Sequence, residues 1–339
     1  MKQLAAFLAV VIFTSLMYAH EGHHHGDGVG PVITTRTVTG SEGHEYVTVP
    51  GWGVPPNGTN IGESHGDLTL DRAGNVYVAT DGGPGIVVFD RLGKFVRFLK
   101  AGLAGMHSLT TVTEGEQQFI WGAQFRENRA VKFDLDGNII ATLPNKNTGK
   151  LEGGIGGLTE VLVGPDGHVF LLMGYGSKKI HKLKPDGTLI KSYGGKGAGK
   201  DRFASCHGGS VDLRYEESRL LVCDCDGRRM IHLTMDLTWI GVYGEVPMRR
   251  PANVDVKGEY AAVAEIEGRA ILVDKSGEIV SVLLDNPDKE QWGANEVVAG
   301  NYHDKALCAP HGIKWGPHGQ IYITESSSVG RLVALFPKK

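Results

Sequence analysis

From about residue 60 to the C-terminus, short apolar runs alternate with glycine-rich polar breaks, and the breaks recur at a regular interval. The clearest stretch carries runs within Gly66–Asp71, Ala73–Val78, Ile86–Asp90 and Leu92–Val96. Alternating apolar and polar positions over four to eight residues predict half-buried β-strands. The breaks include Asp136-Gly137, Asp166-Gly167 and Asp186-Gly187, pairs that predict hairpin turns because glycine supplies the positive φ such turns demand. The pattern restarts at His107, near Thr159, at His207, at Ala252 and at His311. Six starts, each opening ~40–50 residues of short strands, predict six blades of a β-propeller.

The last repeat runs out of chain after its third strand, Arg331 to Phe336, whereas Glu45–Val49 is a β-like run with no blade of its own. The expectation is an all-β, six-bladed propeller over residues 41–339, closed by this N-terminal strand so that no sheet edge stays open. A β-sandwich is the competing architecture, but it does not explain a repeat this long. Composition agrees: 49 of the 339 residues are glycine, about twice the usual ~7%, which suits many tight turns. Lys+Arg 35 against Asp+Glu 38 leaves a net charge of -3, so nothing favours nucleic acid or an anionic membrane surface.

The N-terminus reads as an export signal. Lys2 precedes the apolar run Leu4 to Met17, which is followed by Ala19 and then polar residues. That run is too short to span a bilayer, so 1–19 is expected to be a cleaved signal peptide and the mature chain periplasmic or secreted. Residues 20–40 open with His20 and His23-His24-His25, expected to be a flexible, His-rich segment. Four cysteines, Cys206, Cys223, Cys225 and Cys308, would meet an oxidising compartment. Cys206 starts one strand and Cys225 stands just past the end of its antiparallel neighbour, so a Cys206–Cys225 disulfide is expected, with Cys223 as the alternative partner of Cys206 and Cys308 free.

The chemistry lies in the position of three histidines. His107, His207 and His311 stand at the start of the innermost strand in repeats two, four and six, 100 and 104 residues apart. Alternate blades of a six-fold ring place three side chains about 120° apart at one height around the channel. Three imidazoles there make a metal site with an open position, suited to zinc, with copper or iron as alternatives. The matching positions of repeats one, three and five are Gly66, Thr159 and Ala252, small enough to keep the channel open. His65, one residue before Gly66, is a further candidate for contact with substrate or water.

Pro310-His311-Gly312-Ile313 with Pro317-His318-Gly319-Gln320-Ile321-Tyr322-Ile323 resembles the NHL repeat, as does Gly194-Gly195 through Phe203 into Cys206-His207-Gly208. The three-histidine pattern on such a propeller is similar to that of the peptidyl-α-hydroxyglycine α-amidating lyases. That resemblance implies a lyase whose zinc ligands are His107, His207 and His311, acting on a small-molecule or peptide substrate in the central channel. It assigns the role of catalytic base or oxyanion partner to Tyr175, within Gly174-Tyr175-Gly176-Ser177-Lys178. The family's first catalytic arginine has no counterpart near Ala79 to Asp81, and Arg126 and Arg228 are the candidates for arginine roles. The resemblance also allows a structural calcium, although the acidic residue that helps hold it in the family is replaced here by Gly312. A gluconolactonase-like hydrolase and a non-catalytic binding propeller are the alternatives. Asp224, Asp226, Glu265 and Glu267 lie at the ends of second strands, where loops reach the channel mouth, and read as turn or rim residues, with a carboxylate partner for the site as the alternative.

Overall fold

The computed structural model describes residues 31–56, 61–81, 85–99, 101–244, 247–293 and 302–339. The expected signal peptide and residues 20–30 of the His-rich segment lie outside these. Six antiparallel sheets form a closed ring. Five have four strands each and contain no strand from another repeat, such as Cys206–Asp212, Arg219–Asp224, Arg229–Thr234 and Trp239–Tyr243 in the fourth blade. The short helical turns Ala101–Leu103 and Lys289–Gln291 are 3₁₀, and no helix among the described residues is long and apolar enough to cross a membrane.

The sixth blade closes the ring as expected. Tyr46–Thr48 pairs antiparallel with Arg331–Pro337, placing Val47 opposite Phe336. One further strand, Val38–Thr39, adds outside it, and Ile33 is buried in the core between the fifth and sixth blades. The end of the 20–40 segment is therefore built into the fold. Its apolar residues are too few to have shown as a repeat.

Each blade buries both faces, because each sheet is sandwiched between two neighbours. The middle strands are accordingly continuous apolar runs, such as Val76–Ala79 and Ile86–Phe89, buried along their whole length. Six apolar clusters result, one per interface between adjacent blades. The outer hairpins turn as the Asp-Gly reading requires, with Gly137 at φ 83°. The aspartate that stabilises this turn stands three residues before the glycine: Asp134 Oδ1 accepts from the N–H groups of Asp136 and Asn138.

The expected disulfide does not form: all four cysteines are free and buried. Cys206 packs into the core between the third and fourth blades, and its thiol lies 3.7 Å from the Lys179 carbonyl. Cys223 lies on the opposite face of the same sheet, in the core toward the fifth blade. Cys225 sits in the turn beyond, its N–H donating to the Ser205 carbonyl. Sharing one end of a blade does not bring side chains together when they leave the sheet toward different neighbours.

Candidate metal centre

The innermost strands explain how the histidines face the channel. In the second, fourth and sixth blades the pairing register slips across the histidine: Met106 pairs with Gln124 and Ser108 with Ala123, leaving His107 without a partner. The same bulge occurs at His207 and at His311. A bulge turns its extra residue out of the ladder and re-aims its side chain. The three rings consequently meet on the axis, with centroids 4.8, 4.8 and 4.9 Å apart. Each offers a nitrogen within 4.8 Å of the others, and all three residues are buried.

The donor set fits a transition metal. His107 Nδ1–H donates to the Thr159 carbonyl and His207 Nδ1–H to the Ala252 carbonyl, each at 2.8 Å, which leaves both Nε2 lone pairs facing the axis. Both nitrogens of His311 are buried without a hydrogen-bond partner, as expected for a ring awaiting a ligand. Burial, the largest cause in each case, holds all three imidazoles below their usual range, His207 at about 4. The neighbouring imidazoles add to this at His107 and His311, and Arg250 adds to it at His207. All three are thus neutral at pH 7, the form that ligates metal.

Tyr175 closes the triangle from the channel mouth. Its O–H donates to His207 Nε2 at 2.7 Å, and His107 Nε2 lies 3.2 Å from the same oxygen. The loop reaches this position only because it is glycine-lined. A Cβ on Gly174 would lie 3.0 Å from the His207 Cα, and one on Gly176 only 1.8 Å from the Gly156 carbonyl oxygen. Tyr175 is half-exposed at the mouth, but its hydroxyl is turned in against His207 and His107. Desolvation there, then the charges of Cys225 and Asp226, raises the phenol above its usual range, so it keeps its proton at neutral pH. Phe125 packs edge-on against Tyr175 at 5.6 Å and forms the neighbouring wall.

The other candidates lie around this mouth. His65 contacts Asp81 through Nδ1 at 2.7 Å and through its backbone N–H at 3.1 Å, and with Glu63 they form a second group of potential ligands. Burial opposes a charge on His65, but the Asp81 contact outweighs it and raises its pKa. Arg126 is exposed, and its charge reaches His65 and Asp81. Arg228 is engaged elsewhere: it pairs with Glu267 and donates to the Met248 carbonyl. The arginine whose charge reaches Tyr175 and His207 is Arg250, at φ 54° and paired with Asp226 at 2.8 Å. It stands two residues before Ala252, the fifth repeat's counterpart of the histidines, and that position is its only mark in the sequence.

A second ring lies one residue further along the innermost strands. Asn253 Nδ2 donates to Asp67 Oδ2 at 3.0 Å and to Glu160 Oε2 at 3.3 Å, and Lys314 pairs with Asp67 at 3.3 Å. Asp67, Glu160 and Asn253 come from repeats one, three and five, interleaved with the histidines. The same alternation that marks the histidines marks them too, displaced by one residue. Burial raises the carboxyl pKa values of Asp67 and Glu160, with Lys314 opposing it. Gly208 and Gly312 make room: a Cβ on Gly312 would lie 2.4 Å from Asp67 Oδ1. An acidic residue at 312 therefore has no space here.

Asp224 and Glu265 are structural clamps. Asp224 accepts from Ser205 N–H and from Arg229 Nε at 2.9 Å. Glu265 accepts from Arg249 N–H and Arg269, and Glu325 from the N–H groups of Cys308 and Ala309 and from Arg331. Each clamp joins the end of a second strand to the chain leading into the first.

No protein-family model and no curated protein sequence matches the chain. Solved structures share the fold. A streptogramin B lyase structure superposes with a TM-score of 0.52 at 17% identity, covering 90% of this chain and 94% of that one. A virginiamycin B lyase from Staphylococcus aureus gives 0.53 at 16% identity, covering 90% and 100%. A putative gluconolactonase gives 0.57 at 12% identity, covering 82% and 89%. At these identities the likeness is one of fold.

Proposed function

We propose that the protein is a metal-dependent enzyme of the channel, with His107, His207 and His311 as ligands and a lyase reaction like that of the peptidyl-α-hydroxyglycine α-amidating lyases. The observation that carries this reading is the junction of three neutral, converging imidazoles with the Tyr175 hydroxyl on their open side. Zinc suits the imidazole set, and copper or iron would accept the same donors. When bound, such a metal polarises a carbonyl or lowers the pKa of a bound hydroxyl.

The chain's own groups supply the rest. Tyr175 holds a proton at Oη where an oxygen of the substrate would lie, and can deliver it to a leaving oxygen or hydrogen-bond an oxyanion. Asp81 orients His65 through Nδ1 and makes its imidazole a second group for proton transfer at the mouth. Arg250 and Arg126 bring positive charge to the mouth, which favours a substrate carrying a carboxylate. The streptogramin B lyase neighbours support lyase chemistry on this architecture. The substrate is a small molecule or peptide, with no nucleic acid and no membrane insertion, and the site of action is the periplasm or the exterior, following the N-terminal signal pattern.

A hydrolase reading is favoured by one observation, the oxygen-rich ring of Asp67, Glu160 and Asn253 beside a fold neighbour labelled a putative gluconolactonase. Metal analysis of the purified chain separates the readings. About one equivalent of transition metal, lost in His107→Ala and His207→Ala, supports the three-histidine site. Calcium-dependent lactone hydrolysis that survives His311→Ala supports the hydrolase. A metal-loaded protein inert toward hydroxyglycine, lactone and glycan substrates would indicate a binding propeller instead.

A further inference from the structure

The three imidazoles are not held alike. His107 and His207 each donate Nδ1–H to the carbonyl of the corresponding residue in the next blade, Thr159 and Ala252. Sixfold repetition assigns His311 the carbonyl of Gly66, the corresponding residue of the first blade. That carbonyl instead accepts from Thr324 Oγ1 at 2.8 Å. The same hydroxyl accepts from Gly312 N–H at 3.1 Å, and His311 is left with two buried, unpartnered nitrogens.

One facing position differs as well. Thr324 lies opposite Gly312, the residue after His311. In the second and fourth blades the residues opposite Ser108 and Gly208 are Ala123 and Cys223. Alanine has no donor and a thiol is a weak one, so neither competes for the neighbouring carbonyl.

We propose that Thr324 is a positioning residue for the metal centre: by occupying the Gly66 carbonyl it leaves His311 unpinned, making it the weak and exchangeable ligand of the three. A ligating histidine gains from an acceptor on its other nitrogen, which fixes the tautomer, sets the ring plane and raises basicity. His107 and His207 have that acceptor. His311 has none, so neither tautomer is selected before a ligand arrives. The affinity part of this inference rests on the metal reading above; the tautomer part does not.

Three variants test it in the full chain. Thr324→Val removes the hydroxyl and keeps the shape, Thr324→Ala copies the second blade and guards against a misfolded valine variant, and Thr324→Ser retains the donor. Long-range proton–nitrogen correlation spectra of the metal-free proteins read the tautomers. His107 and His207 should be Nδ1–H throughout; His311 should be mixed in the wild type and Ser variant, and Nδ1–H in Val and Ala. Zinc competition against a chelator should show about tenfold tighter binding in Val and Ala, with Ser like the wild type. A single Nδ1–H tautomer at His311 in the wild type, or identical tautomers in all four proteins, overturns the proposal. So does equal zinc affinity across them. If the wild type binds no zinc, the metal reading fails and the tautomer spectra alone decide the role of Thr324.

Discussion

His207 shows how much one side chain's surroundings decide. Its imidazole is nearly free of solvent, and burial with Arg250 nearby holds it at about 4 in the folded protein. In the unfolded chain it titrates near 6.5, so as pH falls the unfolded state takes up a proton first. This contribution to stability is complete above about pH 6.5 and is lost as pH falls toward about 4, a loss of about 3 kcal/mol in the metal-free protein. Urea unfolding at pH 7.5 and 4.5 measures it, and a His207→Asn variant should show a flatter dependence; equal slopes would contradict this account. At Tyr175 the expected outcome is kinetic. Removing the hydroxyl in Tyr175→Phe should lower turnover of a working substrate by about 10²–10⁴ while bound metal is unchanged. Loss of metal in parallel would mean that the phenol serves the site's structure and not proton transfer.

At the scale of the element, a bulge and a clamp cooperate in the fourth and sixth blades. The bulge turns the imidazole toward the axis, and the acidic residue ending the second strand, Asp224 or Glu325, accepts from N–H groups of the chain that enters the bulge. In the sixth blade Glu325 and Arg331 are both fully buried, and Arg331 also donates to the carbonyls of His303 and Ala306. Breaking a buried pair by removing one partner typically costs ~3–5 kcal/mol, because the remaining charge is left uncompensated. Arg331→Ala should lose about that much in denaturant unfolding, and metal affinity should fall with it because Cys308 and Ala309 lead directly into His311. A loss below about 1 kcal/mol would mean that water replaces the guanidinium at little cost.

At the scale of the molecule, the ring is held shut by a strand from the other end of the chain. Removing residues 1–49 would expose the Ala334–Pro337 edge of the last strand and take Ile33 and Tyr46 out of the core between the fifth and sixth blades. The shortened chain should unfold at least about 10 °C lower or self-associate through that edge, seen by thermal unfolding and gel filtration. The cysteines make a second test at this scale. With all four thiols buried between blades or against the mouth, a thiol reagent should label almost none in the native protein and four after denaturation, even when the protein is produced by export. Non-reducing peptide maps that show a Cys206–Cys225 link would overturn the free-thiol arrangement.

The ring was legible in the sequence because a propeller is a local repeat. Each blade is four neighbouring strands, so turn residues and apolar runs reveal it without any long-range information, and the partnerless run at Glu45–Val49 pointed to the closure. The triangle of histidines was legible for the same reason: equal positions in alternate repeats must become equal positions around an axis. What only the tertiary structure decided depends on where side chains leave the backbone and what faces them from the next blade. Cys206 and Cys225 share a blade end but point to different neighbours. Arg250, and not Arg228, reaches Tyr175, because Glu267 holds the latter. Asp67, Glu160 and Asn253 join into a ring only because the closed propeller brings the innermost strands of alternate blades together around one axis. Thr324 competes with His311 for a carbonyl 258 residues away, a contact that exists only because the ring closes.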